Sequence, residues 1–166
     1  MKQIRTQVGI VGAGPAGLVL GQLLHLQGIE SVVLESRSRE YCQERVRAGL
    51  LEQNTADLLA EMGVGERMKR ERLVHHGINL RFCGRTHRID FADLTGRSIT
   101  IYGQGEVIKD LVDARRASGG PIFFEVENVS VHDFDSEHPR ILFQNKGQQA
   151  ELVCGVRMLS RAKPRW

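Results

Sequence analysis

Val8 to Val11 form a short apolar run that ends in Gly12, and Val32-Val33-Leu34 form a second that ends at Glu35. Runs this short and this uniformly apolar predict strands buried on both faces, as in a parallel sheet. Between them Leu18, Leu20, Leu23 and Leu24 supply the apolar positions of a helix from about Pro15 to Gln27, stopped by Gly28. The chain therefore starts strand, glycine turn, helix, strand, behind a polar segment of residues 1–7. Residues 36–49 are polar and rich in arginine. Leu51, Leu58, Leu59 and Met62 then predict a helix closed by Gly63. After a charged segment, Glu66 to Arg72, the period drops to two: Ile78, Leu80 and Phe82 alternate, residues 83–85 turn, and Thr86 to Phe91 return. Ile99 to Tyr102 predicts another strand, followed by a helix from about Gly105 to Ala117 that Gly119-Gly120 ends. Strands over Ile122 to Val126, Val129 to Phe134, Ile141 to Asn145 and Gln149 to Cys154 close the readable part, with turns at 135–139 and 146–147. The pattern predicts an α/β fold: a βαβ start of Rossmann type, a parallel sheet, and an antiparallel β-meander.

Composition narrows the class. With 166 residues, 41% hydrophobic and 26% charged, the chain suits one soluble globular domain. No apolar run approaches 18 residues, which argues against a membrane span. The polar N-terminus lacks the apolar stretch of a signal peptide, so a cytoplasmic location is expected. Cys42, Cys83 and Cys154 are far apart, and neither they nor the six histidines show metal spacing, His75-His76 being adjacent. No metal site is expected. The net charge of +3 and pI near 9 hint at nucleic acid. The excess, however, comes from Arg157, Arg161, Lys163 and Arg165 in a tail without acids, and the remainder carries 19 basic and 20 acidic residues. A nucleic-acid partner is therefore not expected.

Gly12-Ala13-Gly14-Pro15-Ala16-Gly17 fits GxGxxG between a predicted strand and a predicted helix. In such a loop the first glycine permits the tight turn, the second lets a pyrophosphate approach the backbone, and the third lets helix and strand pack closely. The helix N-terminus offers unpaired N–H groups to the phosphates, and Pro15 suits the first helical turn. Glu35 lies 21 residues after Gly14, at the end of the next strand, where a carboxylate accepts from ribose hydroxyls and repels a 2′-phosphate. Loop and acid predict a dinucleotide site but leave FAD and NAD both open.

Arg45-Val46-Arg47-Ala48-Gly49-Leu50-Leu51-Glu52-Gln53 places two arginines around one valine. On an extended segment these point to one side and suit a diphosphate; a solvated basic loop reads equally well from composition. This run, together with the Gly12 loop, Leu34-Glu35, Gly77 after His75-His76, and Tyr102-Gly103-Gln104-Gly105-Glu106-Val107, resembles the 4-hydroxybenzoate 3-monooxygenase family of flavoprotein aromatic hydroxylases. The resemblance implies FAD as cofactor, with Glu35 on the adenosine ribose, Arg45, Val46, Arg47, Ala48, Gly49 and Leu50 beside the flavin, and Gln104 on the FAD chain. It also implies Arg47 as a contact for NADPH, the co-substrate. The implied reaction is NADPH- and oxygen-dependent hydroxylation of 4-hydroxybenzoate to 3,4-dihydroxybenzoate, in an enzyme whose full-length form is a homodimer. Two other readings stay open: a flavin hydroxylase for another aromatic acid, and a non-catalytic dinucleotide-binding module.

Two positions depart from the family. Ser36 stands where the family has arginine, with Arg37 next. Gly105 stands for threonine, which reads as a slightly weaker helix N-cap. The resemblance stops at Cys154. Residues 1–154 are expected to be an incomplete FAD-binding domain and residues 155–166 a basic tail unlike the family, the product of a frameshift or mis-called gene end. No catalytic residue is assigned within this chain. The fragment is expected to be inactive alone, with exposed apolar surface.

Overall fold

The computed structural model describes residues 1–45 and 47–155. The expectations for Val46 and for the basic tail from residue 156 lie outside the described residues. In chain order the elements are β1 (Lys2–Thr6), β2 (Val8–Val11), α1 (Pro15–Leu26), β3 (Ser31–Leu34), α2 (Arg39–Glu44), β4 (Leu50–Glu52), α3 (Gln53–Glu61), α4 (Glu66–Glu71), β5 (Leu73–His75), β6 (Gly77–Phe82), β7 (Arg85–Asp90), α5 (Phe91–Thr95), β8 (Ile99–Ile101), α6 (Gln104–Ala117), β9 (Ile122–Phe123), β10 (Glu127–His132), β11 (Arg140–Asn145) and β12 (Gln148–Cys154). The described residues fold as two units, one from residues 1–39 and 115–155, the other from residues 40–114. Among the described residues no helix is long and apolar enough to cross a membrane.

In the first unit β2, β3 and β9 form a parallel sheet in that order, with Val8 opposite Ser31 and Leu34 opposite Phe123. All four residues of β3 are buried, and its Val32 to Leu34 are the apolar run of the sequence; β2, expected to be buried on both faces, buries only Ile10 and leaves Val11 exposed at the end of the strand. A second sheet, ordered β1-β12-β11-β10, is antiparallel except for the parallel pair β1 and β12. The core holds Val32 and Leu34 from one sheet with Val126, Ile141, Phe143, Ala150, Leu152 and Cys154. At Gly9 a Cβ would come within 2.6 Å of Ile141 Cδ1 and 2.9 Å of the Cys154 sulfur, so any side chain there would force these two to shift. β11 and β12 are joined by Lys146-Gly147, both at positive φ, the geometry of a two-residue hairpin turn. Arg115, 2% exposed, donates to the carbonyl oxygens of Gly21 at 3.1 Å, of Ser31, and of Pro121 at 3.5 Å. It ties α1, the start of β3 and the loop before β9 together.

The second unit contains an antiparallel sheet ordered β4-β8-β5 and the separate hairpin β6–β7. Its buried side chains include Ala56, Leu59 and Met62 near α3, Met68 on α4, and Val107, Ile108, Leu111 and Val112 on α6.

Several sequence expectations are corrected. Residues 2–6 form β1, whose polar sequence hides a strand that buries only its Ile4 and Thr6 face. The arginine-rich segment contains α2, which has no buried residue and so no apolar stripe. Leu51 lies on β4 opposite Thr100, not on α3. The predicted strand from Ile122 ends at Phe123, because Glu125, at φ 58°, turns the chain and lets the Val126 N–H reach the Glu35 carbonyl at 3.0 Å. Asp90 starts the unpredicted α5, its carboxylate accepting from the Asp93 N–H at 3.2 Å.

Candidate cofactor site

In the first unit the chain leaves β2 at Gly12, at φ 109°, with the Gly12 N–H donating to the Leu34 carbonyl at 2.7 Å. Gly14 sits at the N-cap of α1 in extended conformation, and no side chain caps the helix. The donors of its first turn are thus left to whatever ligand sits above them. A Cβ on Gly14 would meet nothing within 4 Å, whereas one on Gly17 would collide with the Gly12 carbonyl oxygen. Gly14 therefore keeps space open and Gly17 keeps the helix close. Pro15 opens the helix without wasting a donor, Ala13 is fully buried, and Ala16 is exposed.

Glu35 follows β3 directly. Its N–H donates to the Phe123 carbonyl at 2.8 Å, so β9 fixes its backbone. One carboxylate oxygen accepts from the Ala13 N–H at 2.8 Å; the other accepts from the Arg37 N–H at 2.8 Å and the Ser36 hydroxyl at 3.3 Å. The acid is thus joined to the glycine loop itself. Ser36, in place of the family's arginine, turns back onto this carboxylate.

In the second unit Arg45 closes the last turn of α2, its N–H donating to the Tyr41 carbonyl at 3.0 Å and its guanidinium lying 5.7 Å from the Tyr41 ring centre. Arg45 itself thus stands at a helix end. Arg47, Ala48 and Leu50 are exposed. Gly49 is not: its carbonyl accepts from the Tyr102 N–H at 2.8 Å, and a Cβ there would lie 3.0 Å from Gly103 Cα. The run after Arg45 and the Tyr102-Gly103-Gln104 run are therefore in direct backbone contact. Gln104 is half-buried at the start of α6, whose first helical bonds run to the Gly103 carbonyl. Gly105 is inside the helix, so the N-cap expectation for it is replaced: a Cβ there would strike the Gln43 carbonyl.

Arg67 and Asp110 carry no signal in the sequence, and Tyr102 is singled out there without a role. The Tyr102 hydroxyl donates to Asp110 Oδ2 at 2.7 Å, Arg67 Nε donates to Asp110 Oδ1 at 2.7 Å, and the Arg67 guanidinium lies 5.6 Å from the Tyr102 ring centre. Burial and the neighbouring Asp110 carboxylate push the Tyr102 phenol well above its ordinary range, so it stays protonated. Burial works against the Arg67 charge, but its bonds to Asp110 and Glu106 outweigh that and raise its pKa. The i,i+8 spacing of Tyr102 and Asp110 carries no signal before the helix is placed.

Hydrogen bonds from Lys109, then from Arg67, hold the Glu106 carboxyl below its ordinary value of 4.5. A carboxylate depressed in the fold stabilises it above the unfolded pKa, and that contribution is lost as pH falls through the folded value. Glu106→Gln is accordingly expected to lower stability at pH 7 by less than about 1 kcal/mol, these ion pairs being partly exposed, and to flatten the acid limb. Urea unfolding of both proteins at pH 7 and pH 3 measures this; equal differences at the two pH values would contradict it.

Residues 5–155 match the family described as FAD binding domain. The chain is 44% identical over 93% of its length to p-hydroxybenzoate hydroxylase of Acinetobacter baylyi, and spans 38% of that relative. Among solved structures, p-nitrophenol 4-monooxygenase PnpA from Pseudomonas putida DLL-E4 superposes with a TM-score of 0.79 at 23% identity, over 93% of this chain and 40% of that one. The flavin-dependent monooxygenase PieE, determined with FAD and substrate, superposes with a TM-score of 0.74 at 21% identity, over 93% of this chain and 30% of that one.

Proposed function

Because this chain belongs to the FAD binding domain family, we propose that it is the cofactor-binding part of an FAD-dependent aromatic hydroxylase acting on 4-hydroxybenzoate, with NADPH as co-substrate. The observation that carries the cofactor reading is the union of Glu35 with the glycine loop: an acid fixed at 2.8 Å from the Ala13 N–H, next to an uncapped helix start with open space over Gly14. Hydroxyl donors of a ribose and oxygens of a pyrophosphate are the groups that satisfy this pairing. In this reading the backbone from Gly12 to Gly17 takes the pyrophosphate, and Glu35 takes the adenosine ribose. Arg45 to Leu50 and Gln104 belong to the flavin side, and exposed Arg47 is a contact for NADPH. FAD held there would supply the redox chemistry between NADPH and oxygen, while this chain's residues bind and orient it. The substrate assignment rests on the 44% identity to p-hydroxybenzoate hydroxylase, together with the Arg45 and Tyr102 runs.

The direct assay on this chain is FAD binding, followed by flavin fluorescence. Glu35→Ala removes a charged acceptor worth about 1.5–3 kcal/mol, so affinity is expected to fall about 10- to 100-fold. Unchanged affinity in that variant would take Glu35 out of the site.

A further inference from the structure

Gly49 and Gln104, assigned to the flavin side, are linked at Tyr102, where the β4–β8 ladder continues past Leu50 opposite Ile101. Tyr102 is 5% exposed; its N–H holds the Gly49 carbonyl, and two residues later Gln104 begins α6. A phenylalanine would fill the same space. What the hydroxyl adds is direction: it donates to Asp110 Oδ2, two helical turns along α6. Arg67 on α4 then fixes both ends of that stretch. Its Nη1 reaches Glu106 Oε2 at 2.5 Å, its Nε reaches Asp110 Oδ1 at 2.7 Å, and its Nη2 reaches the Glu106 carbonyl at 3.1 Å. One planar fork thus spans two carboxylates on successive turns of the helix, a geometry that lysine cannot supply.

We propose that Tyr102, oriented by Asp110 and Arg67, is a positioning residue that fixes Gly49 and its neighbours against Gln104 and so sets the flavin-side contacts. Sites of this kind need their contacting groups held within about half an ångström by a supporting shell of locked side chains. The backbones run close at Gly49, where an added Cβ would lie 3.0 Å from Gly103 Cα, so this glycine and the residues around Tyr102 sit side by side. The link from this alignment to FAD rests on the cofactor reading above; the alignment itself does not.

The test compares Tyr102→Phe, Asp110→Ala and Asp110→Asn in the full chain by two readouts. Without cofactor, amide hydrogen exchange at residue 102 is expected to speed at least tenfold in Tyr102→Phe and Asp110→Ala, while the amides of Leu111 and Val112 stay as protected as before. Asp110→Asn keeps one acceptor oxygen for the phenol but sets its amide NH2 against Arg67, which donates to the other side, and is expected to restore only part of the protection. In a flavin fluorescence titration the first two variants are expected to bind FAD at least fivefold more weakly, with partial rescue in the third. Unchanged exchange at residue 102, or acceleration spread evenly along α6, would overturn the proposal and leave Tyr102 a packing residue. If the unsubstituted chain binds no FAD, the cofactor reading fails, and the exchange result alone decides whether Tyr102 aligns the two segments.

Discussion

Gly14→Ala and Gly17→Ala are expected to separate binding from folding within one loop. A Cβ at residue 17 collides with the Gly12 carbonyl oxygen, a backbone atom that cannot swing away. Forced overpacking of this kind costs about 1–3 kcal/mol and moves the turn as well, so Gly17→Ala loses stability and FAD affinity together. At residue 14 the backbone is extended at φ −72°, which alanine adopts freely, and no atom lies within 4 Å of the added carbon. The stability change is expected to stay under about 1 kcal/mol, the difference between glycine and alanine at an N-cap. FAD affinity is nevertheless expected to fall more than about tenfold, a loss of about 1.4 kcal/mol, because the methyl occupies the space a pyrophosphate needs. Urea unfolding and a flavin titration on both variants measure the two effects. Gly14→Ala binding FAD as tightly as the unsubstituted chain would show that the loop is not the phosphate cradle.

The largest effect on stability is expected at Phe143. Among the described residues it is the largest fully buried side chain, set in the core of the first unit with its ring 6.1 Å from that of Phe123. Phe143→Ala should cost about 3–5 kcal/mol. A typical domain is stable by only about 5–15 kcal/mol, so this one change brings the unit close to unfolding. Chemical denaturation with Leu20→Ala as a control, at an exposed position of α1, tests the point; equal losses at the two sites would mean that this core does not hold the unit together.

Much of the first unit is legible in the sequence. Apolar runs in β2 and β3 flank an amphipathic helix, and the strand period survives in β11 and β12; in the second unit it marks β6. The features that escaped share a cause. β1 has a polar sequence, and α2 buries no residue, so neither leaves a hydrophobic pattern. Leu51 was drawn into the helical face of α3 by its spacing, but its backbone pairs with Thr100, a partner 49 residues away that periodicity cannot name. Gly105 looked like a weakened cap because local grammar treats a helix start as a matter of neighbours. Its actual constraint is the Gln43 carbonyl across the second unit.

The glycine loop and Glu35 were determined by sequence alone, because a tight turn, an uncapped helix start and an acid at a strand end are local geometry fixed by residue type. The resemblance of the Arg45 and Tyr102 runs then pointed to FAD. Tertiary structure decided what joins them. The bond from Ala13 to Glu35 spans 22 residues, the contact of Gly49 with Tyr102 spans 53, and Arg67 meets Asp110 across 43. Such pairs form only when separate strands and helices are brought side by side by the burial of their apolar faces, and no local pattern encodes which partner each will meet.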